Sequence, residues 1–261
     1  MKAVKSTTKR GGGIEFQVYS QWGEDGIIQY LVNNLDISRK IFIEFGVENY
    51  IESNTRFLLR NNDWSGLVID GSENNINFIR HDEIYWQNNL KAVCKFITAE
   101  NINEIFLENG FSGKIGILSI DIDGNDYWVW KAIDVVDPDI VICEYNTRLG
   151  KEKALTIPYD PNFMRFKAHY SGLYGGASIR ALTLLANEKG YALVAGSLKG
   201  VNLFFVKREL LNEKIKEKSI DEVYRENQFR DARDAFGQLC YLSREEEQKI
   251  LKNMPVVDIE K

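Results

Sequence analysis

Gly113-Lys-Ile-Gly-Ile-Leu-Ser-Ile-Asp-Ile-Asp-Gly-Asn-Asp-Tyr-Trp-Val-Trp130 decides how the rest of the chain is read. Ile115 to Ile120 is mostly apolar and too short for a helix. It runs straight into Asp121, Asp123, Gly124, Asn125 and Asp126, the pattern of a buried strand opening into a polar turn. In open α/β sheets ligands bind in the crevice outside the carboxyl ends of the strands, so a strand ending in acids marks a candidate site if its neighbours build such a sheet. An EF-hand reading fails, because counting from Asp121 puts Asp126 and Ala132 where the loop needs a Gly and an acid. A glycosyltransferase Asp-x-Asp, Asp121-Ile122-Asp123, survives as an alternative. Helix capping accounts for Asn125 or Asp126. It leaves Asp121 and Asp123, two apart before the turn, on one face of an extended segment.

Outward from this stretch, strands and helices alternate. Residues 21–35 place Ile27, Ile28, Leu31, Val32 and Leu35 at helical spacing behind a start signal, Ser20-Gln-Trp-Gly-Glu-Asp25. Ile41-Phe-Ile-Glu-Phe-Gly46 reads as a buried strand with a tight turn, and Gly66-Leu-Val-Ile-Asp70-Gly71 as a second strand ending in an acid. Helices are expected over 53–61, 76–85, 102–109 and 127–135, a third strand over 90–97, and a fifth over 139–146, introduced by Pro138. Such alternation predicts an α/β, doubly wound, largely parallel sheet. Residues 147–176 break the pattern with prolines, glycines and aromatics, as functional loops do. After a helix over 177–187, strands over 191–195 and 201–206 read as a terminal antiparallel pair.

The 261 residues, 44% hydrophobic, suffice for one domain over 14–208 with appendages. Residues 1–13, with Lys2, Lys5, Lys9 and Arg10 but no apolar run, read as a flexible tail rather than a signal. Residues 209–261 read as a charged, helical extension packing on the domain. A net charge of −5 argues against a nucleic-acid surface. No apolar run approaches the roughly 20 residues of a spanning helix, so no membrane insertion is expected. Cys94, Cys143 and Cys240 are odd in number and widely spaced, lack zinc spacing, and point to reduced thiols in a cytoplasm. The oligomeric state is left open, a homo-oligomer included.

Glu44-Phe-Gly46 after the first strand, Asp70 after the second, and a final antiparallel pair after five strand–helix units together resemble class I S-adenosylmethionine-dependent methyltransferases. Ser20-Gln-x-Gly-Glu-Asp25, Ser53-Asn-Thr55, Ser119-Ile-Asp-Ile-Asp-Gly124 and Glu144-Tyr-Asn146 resemble FkbM-type members, over residues 20–208. The resemblance implies a Rossmann-like, seven-stranded sheet and S-adenosyl-L-methionine as cofactor. Gly46 would then let the methionine part approach backbone, and Asp70 would accept the ribose hydroxyls. Gln21, Glu44, Ser53 and Asn54 join the implied cofactor set, with Thr98 and Glu100 near the adenine. Glu48 and Tyr50 depart from the usual glycine-rich loop. Glu44 could instead pair with a cation, Ser53 to Thr55 start a helix, and Gln21 cap one.

Methyl transfer to oxygen needs a base, a metal that acidifies the hydroxyl, or both. Asp121, Asp123, Glu144 and Asn146, at adjacent strand ends, are an all-oxygen set suited to Mg²⁺ or Mn²⁺. The metal ligands of catechol-type methyltransferases, which come from the same two strand ends, imply Asp121, Glu144 and Asn146. Without metal, the acids would raise one another's pKa and one could serve as base. His169, in the Gly/aromatic loop, is the candidate base or third ligand, or a plain surface histidine. Tyr170, Tyr174 and Ser178 are expected to meet the acceptor. Arg230 and Arg233, on one helix face, would clasp a diphosphate or form surface salt bridges.

The reading reached is an O-methyltransferase acting on a nucleotide-linked sugar for surface polysaccharide. The alternatives are a nucleotide-sugar glycosyltransferase using Asp121-x-Asp123 and a non-catalytic binding module on the same scaffold.

Overall fold

The computed structural model describes residues 14–228 and 231–261. The expected tail over 1–13 and Arg230 lie outside the described residues. The elements run α1 Glu24–Asn34, β1 Ile41–Phe45, α2 Arg56–Asn61, β2 Ser65–Asp70, α3 Glu73–His81, α4 Glu83–Gln87, β3 Leu90–Cys94 and α5 Ile102–Glu108. They continue with β4 Gly113–Ile120, α6 Asp126–Ala132, β5 Val136–Glu144, β6 Leu155–Thr156, α7 Arg165–Ala168, α8 Ile179–Glu188, β7 Tyr191–Gly196 and β8 Asn202–Lys207. Last come α9 Ile220–Val223, α10 Arg244–Leu251 and β9 Val257–Asp258.

Seven strands form one sheet in the order β3-β2-β1-β4-β5-β8-β7. The first five are parallel, and β8 runs antiparallel to both β5 and β7. This is the expected Rossmann-like methyltransferase arrangement, with the later strand of the terminal pair tucked inside and β7 at the edge. A separate two-stranded piece pairs β6 with β9.

The continuous apolar runs of the central strands follow from burial on both faces. Along β1 and β5 successive residues alternate between two cores: Ile43, Phe45, Val141 and Cys143 face one, Phe42, Ile140 and Ile142 the other. Helices α5, α6 and α8 supply the first core (Phe106, Trp130, Leu182). Helices α1, α2 and α3 supply the second (Ile28, Leu58, Ile76).

Local chemistry moves several expected boundaries. The helix expected over 76–85 breaks at Asp82, whose Oδ1 accepts the Ile84 N–H at 3.0 Å while Oδ2 holds Arg56 at 2.9 Å. The fifth strand reaches back through Pro138 to Val136, tolerable near a strand's start where few ladder bonds are lost. The extension over 209–261 is not the mainly helical piece its charge pattern suggested. Its described residues hold only two helices, each started by a Ser-x-x-Glu capping box (Ser219/Glu222 and Ser243/Glu246), and the rest is turn and loop tied back by β9. No helix of the described residues is long and apolar enough to cross a membrane.

Candidate active site

After β1 the chain packs through α2 on one face of the sheet, and after β4 it packs through α6 on the other. Because β1 and β4 are neighbours, with Phe45 beside Ile120, their carboxyl ends form the topological switch point where open sheets bind ligands. A cavity of about 600 Å³ opens there, bounded by Gly46 and Asp70 on one side and Asp121, Asp123 and Glu144 on the other. That volume suits a small-molecule site.

Gly46 is required first by the protein itself. It has φ +77°, and a Cβ on it would lie 1.4 Å from the Asp121 carbonyl oxygen. Glu44, one turn of the pleat earlier, pairs with no cation among the described residues. Its carboxylate accepts from the Ser53 and Thr55 hydroxyls and from the backbone N–H groups of Asn54 and Thr55. These contacts delay α2 to Arg56 and fix Ser53 and Asn54 at the cavity wall, with Asn54 Nδ2 donating to Ser119 Oγ at 3.1 Å. Burial pushes the Glu44 carboxyl up despite those donors.

Asp70 anchors the other wall. Oδ2 accepts the Glu48 N–H at 2.9 Å, and Oδ1 accepts the Ser72 N–H and the Asn75 amide. A carboxylate offers about four acceptor positions, so capacity remains for a ligand hydroxyl. Glu48 and Tyr50, the departures from a glycine-rich loop, sit at φ 47° and 63°. Tyr50 is fully buried with its hydroxyl on Thr55. A buried side chain thus holds the loop where small residues would leave it free. Gln21 is exposed and lines the cavity mouth, but Thr98 does not line it: its backbone N–H is taken by the Asn101 side chain, while Phe96 and Ile97 form the wall.

Opposite, the chain leaves β4 and turns sharply, with Asp123 at φ 61°, so Asp121 and Asp123 converge through a turn and not along an extended segment. Oxygens of Asp121, Asp123 and Glu144 all lie within 4.8 Å of one another. Asp126, at the start of α6, is consumed by the turn, accepting the Ile122 and Gly124 N–H groups at 2.9 Å each. Burial, then Glu144, Asp123 and Asp126, raises Asp121 well above the usual carboxylate range. Burial, then Asp123 and Asp126, likewise raises Glu144, partly offset by Arg165. The two carboxyls stand together, so ionisation of one opposes ionisation of the other and they titrate as a pair.

Asp126 is pushed up to about 6, chiefly by burial and against the pull of the N–H groups it accepts. Its folded pKa lies above the unfolded one, so its stabilising contribution is complete below about pH 4 and is lost as pH rises through about 6. The shift corresponds to about 3 kcal/mol. Urea titrations at pH 4 and pH 7 should therefore show wild type losing about that much more stability than Asp126→Asn across the interval. Parallel behaviour of the two proteins would mean that the carboxyl is solvated.

Arg165, absent from the candidate residues of the sequence, is a cation of this acidic wall. Its Nη1 donates to Asp123 at 2.8 Å, Nη2 to Asp231 at 2.6 Å, and Nε to the Gly172 carbonyl. Burial works against its charge, but Asp123, Glu144 and Asp231 outweigh it and raise its pKa further. The loop carrying it lies directly on the acidic turn: Asn125 Nδ2 donates to the Asp160 carbonyl, and Gly176 N–H to that of Gly124. A Cβ on Gly175 would come within 2.4 Å of the Asp123 carbonyl. The signal in the sequence was an arginine among aromatics, Met164-Arg-Phe166, in a loop facing an acidic strand end.

His169 is not brought to the carboxyls. It bonds Ser171, stacks on Tyr170 at 4.3 Å between ring centroids, and does not line the cavity. Tyr170 is exposed outside the cavity. Tyr174 is buried in a small core with its hydroxyl on the Pro255 carbonyl. Ser178 caps α8 and donates to the Lys153 carbonyl. Arg233 forms an isolated bridge with Leu239 and lies on no helix, so it does not sit on the helix face expected for it. Its guanidinium reaches the Gly237 carbonyl. Asn146 lines the cavity but spends its amide on the Leu173 and Gly175 carbonyls and its Oδ1 on the Arg148 N–H. Asp123 takes the place expected for it beside Asp121 and Glu144.

No family model matches the sequence, and no curated protein does. Solved structures similar in chain path include an S-adenosylmethionine-dependent methyltransferase from Clostridium acetobutylicum ATCC 824, 10% identical, covering 73% of this chain and 92% of that one, TM-score 0.46. Another is the N-terminal domain of EvdMO1 in the presence of SAH and D-fucose, 12% identical, covering 71% and 82%, TM-score 0.45. A third is an O-methyltransferase family protein from Burkholderia thailandensis, 12% identical, covering 71% and 57%, TM-score 0.43. At such identities and TM-scores the reading of the site rests on its own side chains.

Proposed function

We propose that this chain is a cytoplasmic S-adenosylmethionine-dependent O-methyltransferase whose acceptor is a hydroxyl of a nucleotide-linked sugar used in surface polysaccharide. The observation that carries the reading is one cavity at the switch point with two differently equipped walls. Asp70 stands at the end of β2 with acceptor capacity to spare, and the mutually raised Asp121–Glu144 pair stands at the ends of β4 and β5. When bound, S-adenosylmethionine supplies an electrophilic methyl group. Asp70 holds ribose hydroxyls, and the left-handed turn at Gly46 brings the β1 and β4 ends together. The Asp121–Glu144 pair, raised toward neutrality by burial, accepts the acceptor's hydroxyl proton as the new bond forms. Arg165 holds Asp123 in place and limits the charge of the wall.

The donor set also fits Mg²⁺ or Mn²⁺. Three carboxylates converge, and Asn202, the cross-strand partner of Glu144, keeps a buried Oδ1 that has no hydrogen-bond partner among the described residues. A bound metal would acidify the acceptor hydroxyl.

Titration calorimetry with S-adenosylhomocysteine, in EDTA and then in Mg²⁺ or Mn²⁺, tests the reading. Micromolar binding is expected. Asp70→Ala should weaken it by about 10- to 150-fold, the loss of hydrogen bonds to a charged group. Absence of binding by wild type under both conditions would retire the reading.

A further inference from the structure

Two arginines reach the cavity beside the carboxyl wall, and one aspartate holds both. Arg148 Nη2 donates to Asp231 Oδ1 and Arg165 Nη2 to Asp231 Oδ2, each at 2.6 Å, and all three residues line the cavity. Protein groups fix each guanidinium from behind. Arg148 Nε lies 3.3 Å from Glu247 Oε2, and Arg165 is held by Asp123 and the Gly172 carbonyl. What the two share in front is a single acid group with one oxygen on each. Arginines grip carboxylates and phosphates in this manner.

Asp231 is the most accessible member of the three. Its side chain is 29% exposed against 6% for Arg148 and 23% for Arg165, and it belongs to no helix or strand. Its neighbour Ala232 is fully buried, and the Arg233 N–H bonds the Ser171 carbonyl. The backbone is therefore anchored on the C-terminal side of Asp231, and a turn of that side chain would free both arginines.

We propose that Arg148 and Arg165 form an oxyanion subsite in which an acid group of the ligand, a phosphate or a sugar carboxylate, takes the place of the Asp231 carboxylate. The exchange swaps one anion for another, so neither arginine is left unpaired in the cavity. A neutral ligand has nothing to offer in exchange, and Asp231 stays, which selects for anionic molecules. This subsite replaces the clasp expected of Arg230 and Arg233. That the anion's carrier is the methyl acceptor rests on the proposed function; the subsite itself does not.

The test is titration calorimetry in low-salt buffer without S-adenosylmethionine, using inorganic pyrophosphate in one arm and D-glucuronate in the other. Binding of at least one is expected. Asp231→Asn, which removes the competing charge and keeps the side chain's shape, should tighten it by about tenfold or more, the effect of lifting one close like-charge repulsion. In the Asp231→Asn background, Arg165→Gln should abolish it, with circular dichroism confirming the fold. If that double variant does not fold, the comparison of Asp231→Asn with wild type decides alone. Binding of pyrophosphate only assigns a phosphate-bearing ligand, and binding of glucuronate only a carboxylate-bearing one. Failure of both anions with wild type and Asp231→Asn, or an affinity that Asp231→Asn leaves unchanged, overturns the subsite. S-adenosylhomocysteine titrated into the same proteins separates the two proposals. Its binding with no anion response sinks the subsite alone, and an anion response without it sinks the methyltransferase alone.

Discussion

Asp121→Asn is expected to lower turnover by about 10²- to 10⁴-fold, the contribution of a positioned general base, while the protein stays folded. Asn keeps the side chain's shape and can donate an N–H to Glu144, so the contact between the two side chains survives. The proton acceptor does not. Because burial and neighbouring acids raise the pair, the wild-type rate should also fall on acidification at a pH well above the ordinary carboxylate range. Initial rates of S-adenosylhomocysteine formation with nucleotide-linked sugars, over a pH series, read both effects. Near-normal turnover in the variant would reduce the carboxyl pair to a structural feature.

The largest effect on stability is expected at Gly46. An alanine there adopts a left-handed conformation costing about 1–2 kcal/mol, and its Cβ meets the Asp121 carbonyl oxygen at 1.4 Å and the carbonyl carbon at 2.6 Å. Backbone in the middle of a sheet cannot step aside as a side-chain tip can, and overpacking of this kind adds about 1–3 kcal/mol or more. The total, about 2–5 kcal/mol, is a large part of the roughly 5–15 kcal/mol that keeps a domain folded. Gly110→Ala is the matched control, since Gly110 also has a left-handed φ of +83° but a Cβ there would meet nothing within 4 Å. Urea unfolding of both variants isolates the clash. If Gly46→Ala were no worse than Gly110→Ala, the ends of β1 and β4 would be free to part.

The architecture was legible because its signals are local. Ile41 to Phe45, Leu67 to Ile69, Ile115 to Ile120 and Ile140 to Cys143 are short runs buried on both faces, and the turn residues that close them stand beside them in sequence. The acidic strand end and the acid after the second strand were legible for the same reason. Boundaries shifted where a distant partner outbid local pattern: Glu44 held back the start of α2, and Asp82 with Arg56 split α3 from α4.

The loop over the cavity was read for the wrong residues. Its aromatics and His169 carry the conspicuous chemistry, yet Tyr174 is spent on the core around Leu173 and Leu251, and His169 on Ser171. Arg165, and not His169, meets the carboxyls, because a permanent cation is what a crowded acidic wall stabilises; it can serve there as neither base nor metal ligand.

By itself, then, the sequence determined the sheet, its order of elements and the two acidic strand ends, since a short apolar run and the turn that closes it are properties of neighbouring residues. Tertiary structure decided which side chains share the cavity. Asp123 and Arg165 are 42 residues apart, and Arg148 and Asp231 are 83 apart. No spacing rule links such pairs. They meet only because the loop over 157–176 and the segment after β8 pack onto the sheet's carboxyl edge, which brings opposite charges together.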